Sequence, residues 1–152
     1  KVHSRRSWQR AADELVAVTR RDPRWALIAV QATLARARAG DVVEVVNALA
    51  DQGWLDHDAL SAAIAGLATL RDQDLPATVA ALCASAAPRA RRVAVAALAH
   101  DARPGRGWSQ VRLAQLAALR ADPDPEVAGA AARLWPPREQ DPPAAGAAVS
   151  PA

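Results

Sequence analysis

At 152 residues with a formal net charge of +3, the chain has the length of a single domain, and 51% of it is apolar. Alanine supplies most of that apolar fraction, against two Ile, no Phe and no Tyr; this excludes a β-rich fold, which needs β-branched and aromatic side chains, and favours helices packed at short range. No apolar run approaches ~18 residues and no secretory h-region is visible, so no membrane span is expected in this segment.

The most informative pattern is a repeat. Residues 27–34, 60–67, 91–98 and 127–134 are alanine-rich stretches that each end in leucine, and the closing leucines stand 33, 31 and 36 residues apart. A period of that size marks an array of supersecondary units, none able to bury its apolar face alone. Apolar spacing near 3.6 predicts helices over 8–20 and 24–38, then 42–51 and 59–70, then 75–85 and 89–100, and finally 109–121 and 126–135. These form four antiparallel hairpins, with repeats at about 8–39, 41–71, 75–101 and 108–135 of a domain spanning 1–135. Asp22-Pro23 and Asp124-Pro125 are start signals, each with a side-chain acceptor followed by a proline that suits the first helical position. Asp41, Asp58 and Asp74 are expected to cap in the same way, and Gly40, Gly53 and Pro104-Gly105 to stop helices. Residues 136–152 hold five prolines and almost no large apolar side chain, the composition of a disordered tail or linker.

Lys1 is not a residue that follows a removed initiator Met, and the chain contains no Met; it reads as a fragment of a longer protein. Cys83 has no possible disulfide partner and falls within an apolar helix, where a small buried thiol is expected. That usage fits a reducing, cytoplasmic setting.

The repeat resembles the HEAT family of armadillo-like α-solenoids. Residues 122–134 (DPDPEVAGAAARL) are similar to that family's inter-helix turn and second helix, and Asp22 keeps the same separation from Leu34 as Asp122 does from Leu134. Arg92, six residues before Leu98, matches the arginine the family carries on its second helix. The resemblance implies a right-handed superhelix whose second helices line a concave face, and a contact from Arg92 to Asp56 of the preceding unit. Ile28, Ser61 and Ala128 occupy the arginine position elsewhere, so no continuous Asp–Arg ladder is expected.

Chemistry is sparse. His57 lies between Asp56 and Asp58, but neighbouring side chains in one turn diverge and cannot converge on a metal; the turn reads as a cap. His100 complements a helix C-terminus. No nucleophile with recognisable partners, phosphate loop or zinc-spaced cluster is present, so neither catalysis nor a cofactor is expected. The five tryptophans, at 8, 25, 54, 108 and 135, lie near helix ends, where they can seal gaps that alanines leave. Trp108, following the Arg103-Pro-Gly-Arg-Gly107 segment, is the best placed for exposure to a partner.

Charge alternates by unit. Residues 1–40 carry nine basic and three acidic side chains, 41–74 carry one and seven, 75–108 carry five and one, and 109–152 carry four and five. Such blocks suit stacked neighbours and oppose a continuous basic stripe for DNA. The expected role is a noncatalytic protein-binding scaffold or regulatory arm. Arg24, Trp25, Arg89, Arg91, Arg92 and Trp108 are its candidate partner-binding residues. The alternative is a nucleic-acid cradle of the HEAT-like DNA-glycosylase kind, gripping phosphates with Arg24, Arg89, Arg91 and Arg92. Self-association through the end repeats is a third route, since the last helix would otherwise leave apolar surface uncovered.

Overall fold

The computed structural model describes residues 39–136 throughout and, before them, only residues 10, 14, 17, 18, 21, 22 and 25. The rest of the first predicted hairpin and the tail beyond Pro136 therefore lie outside the described residues, as do Arg24 and Trp8. Among the described residues the protein is all-helical. The helices are α1 (Ala39–Asp51), α2 (His57–Gly66, followed by a 3-10 turn at Leu67–Thr69), α3 (Leu75–Cys83), α4 (Pro88–Asp101), α5 (Gln110–Arg120) and α6 (Pro125–Ala132).

Periodicity explains which faces turn inward. Val42, Val45, Val46 and Leu49 are buried on α1, and Leu75, Thr78, Val79 and Leu82 on α3; both sets follow the i, i+3, i+4, i+7 pattern of one helix face. Because α4 buries residues around most of its girth (Ala90, Val93, Ala94, Val95, Ala97, Leu98 and Asp101), it is the central helix. Its alanines let neighbouring backbones approach on several sides. The first helices pack in sequence, α1 on α3 and α3 on α5; the second helices do likewise, α2 on α4 and α4 on α6. The hairpin pairs α3–α4 and α5–α6 connect these two layers. The closing leucines share one role where they are described: Leu67 and Leu98 are buried, and Leu134 packs against the same core.

Several local expectations need correction. Gly40 does not stop a helix, because α1 begins at Ala39 and runs through both Gly40 and Asp41. The cap of α2 is Asp56, whose carboxylate accepts the Ala59 N–H at 2.9 Å, while Asp58 sits exposed in the first turn. Asp74 stands at the start of α3 without a side-chain cap, its carboxylate being taken by Arg71 Nε at 2.9 Å. At α6 the expectation holds, with Asp124 accepting from the N–H groups of Glu126 and Val127 and Pro125 following it. Helices α3 and α6 end two or three residues earlier than periodicity predicts. The inward set of the last helix (Val127, Ala130, Ala131) is buried rather than left uncovered, while Trp135 beyond it stands exposed, at 71%.

Candidate functional site

The polar chemistry gathers where one hairpin meets the next. Arg91, on the first turns of α4, donates through Nε to Asp122 Oδ2 at 2.6 Å and through Nη2 to Asp122 Oδ1 at 3.0 Å, a bidentate fork. Its Nη1 donates to the carbonyls of Ser85 and Ala86 at 3.0 and 2.9 Å, in the turn between α3 and α4. Asp122 also accepts the Asp124 N–H at 2.9 Å. One guanidinium thus ties the turn of the α3–α4 hairpin to the turn of the α5–α6 hairpin. The pair is mostly buried, with side-chain exposures of 14% for Arg91 and 6% for Asp122. The hydrogen bonds from Arg91 hold the Asp122 carboxyl below its usual range, burial opposing them, and Asp122 in turn raises the Arg91 guanidinium. Alongside, Arg89 reaches Glu126 at 3.1 Å across an exposed gap. Cations at a helix N-terminus oppose the macrodipole, but these two face acidic side chains at and just before the start of α6.

A second clasp holds the connection from α4 to α5. The buried Asp101 carboxylate accepts Arg112 Nε on Oδ2 at 2.8 Å, while Arg106 Nη2 lies 2.7 Å from Oδ1 as an ion pair without hydrogen-bond alignment. Arg112 also donates to the carbonyls of Arg106 and Gly107 at 3.1 and 2.7 Å, and Arg106 Nε to the Asp101 carbonyl at 3.0 Å. The loop can wind around these groups because Gly105 and Gly107 take positive φ, +95° and +69°. Arg103 binds the exposed Asp72 in the preceding inter-hairpin loop, and its hydrogen bond lowers the Asp72 pKa. On the other edge, Ser85 Oγ donates to Asn47 of α1 at 2.5 Å. Arg120, buried at the end of α5, donates to the carbonyls of Ala131 and Leu134 and so closes the end of α6.

The outward faces of α3 and α5 are different. Helix α3 contains no charged residue. Between the two helices runs a groove of about 420 Å³ lined by Cys83, Val111, Ala114, Gln115, Ala118, Leu119 and Asp122. Val111 is 67% exposed there. Cys83 is half-buried rather than fully buried, and burial with the nearby Asp122 charge pushes its thiol up to about 11.

These positions revise the reading of the candidate residues. Arg91 and Arg89 spend their charge on Asp122 and Glu126. Arg92 forms no ion pair with Asp56; its neighbour Arg91 makes an inter-unit contact instead, and it reaches forward to the next hairpin, not back. Trp108 is not the exposed ring, since it packs half-buried against the core, as Trp54 does. Trp25 is 44% exposed. Sequence reasoning missed Asp101, Arg112 and Arg120. A visible signal existed for the first, an aspartate two residues before an arginine-rich, glycine-containing connection; Arg120 carried none. Among the described residues no three His, Cys, Asp or Glu side chains gather into a metal-binding group, and no helix is long and apolar enough to cross a membrane.

No protein-family model, curated protein or solved structure matches the chain.

Proposed function

We propose that the chain is a noncatalytic scaffold module, a right-handed HEAT-like superhelix that presents an elongated surface to another protein or to another domain of its parent chain, in the cytoplasm. The reading is supported by the packing order, in which first helices follow first helices and second helices follow second helices. It is supported as well by Arg91–Asp122, an Asp–Arg contact between consecutive hairpins, although it is made by the neighbouring arginine and reaches forward to the next hairpin where the HEAT resemblance implied a contact back to Asp56.

One observation carries the choice of partner class. Arg89, Arg91, Arg103, Arg106 and Arg112 are engaged by carboxylates of this same chain, while α3 and α5 flank a mainly apolar groove whose one charged lining residue, Asp122, is held by Arg91. Neutralised guanidiniums offer little to phosphate, whereas an apolar face rimmed by polar residues is what protein partners cover. The test is capture of the partner by the wild-type chain and by an Ala114→Glu/Ala118→Lys double variant, whose new i, i+4 charge pair favours the helix. Loss of capture with helical circular dichroism unchanged is the expected result. Undiminished capture, or a salt-sensitive shift of a DNA duplex at ~50 mM salt, would overturn the proposal.

A further inference from the structure

We draw no further inference here: the strongest candidate, the apolar groove between α3 and α5 with Cys83 in its lining, belongs to the surface already described, and nothing in the structure shows what covers it.

Discussion

Asp122 concentrates three jobs in one carboxylate: it takes both arms of Arg91, it accepts the Asp124 N–H, and it lines the α3–α5 groove. Its pKa is depressed in the folded state, chiefly by the Arg91 hydrogen bonds. A depressed folded pKa contributes stability that is fully present above the unfolded value, and that is lost as pH falls through the folded one. The expected loss therefore begins below about pH 4 and deepens with further acidification. Asp122→Asn removes the titrating group, so urea denaturation of this variant across that range is expected to give a shallower acid limb than wild type. Superimposable pH profiles would show that the clasp contributes nothing. Sequence reading named the neighbouring arginine but the wrong partner, Asp56 of the preceding unit in place of Asp122 of the next. It chose Arg92 because of its distance from Leu98, but spacing along one helix cannot say which of two adjacent arginines points to the next hairpin. The turn acceptors were similarly ambiguous at Asp56 and Asp58, where only the backbone path decides that Asp56 meets the Ala59 N–H.

Helices were legible to the degree that their burial is one-sided. Helices α1 and α3 show a clean apolar stripe, and both were found close to their observed spans. Gly40 misled because glycine inside a helix costs only about 1 kcal/mol, which the packing of Val42, Val45, Val46 and Leu49 outweighs. Helix α4 is the one whose loss the fold can least absorb. Leu98→Ala, at a fully buried position on that helix, is expected to cost about 2–5 kcal/mol. Val111→Ala, at an exposed position, should stay within about 0.5 kcal/mol. Equal costs in urea denaturation would mean that α4 is not the central element. Helix α3 supplies an independent probe, since the Cys83 thiol is raised from 9.0 to about 11. Two pKa units mean about 100-fold less thiolate at neutral pH than an unshifted thiol offers. Alkylation of the native chain at pH 8 is expected to be correspondingly slow, and to accelerate in denaturant. A rate matching free cysteine would place Cys83 in open solvent and remove it from the groove.

At the scale of the molecule, the alternating charge blocks turn out to be the connections between units: Asp72 of one block meets Arg103 and Arg106 of the next, and Arg89 and Arg91 meet Glu126 and Asp122 of the one after. The blocks and the leucine period were readable along the chain. The groove was not, because it forms between helices distant in sequence whose exposed alanines look the same as buried ones. The account rests on consecutive hairpins being layered and clasped at their turns, and a double-mutant cycle on Arg91 and Asp122 measures that directly. Arg91→Ala, Asp122→Ala and the double variant, compared by urea denaturation, are expected to give a coupling energy of about 1.5 kcal/mol, in the range of contacting charged partners. A coupling within about 0.3 kcal/mol of zero, the additivity of distant sites, would contradict the layered arrangement.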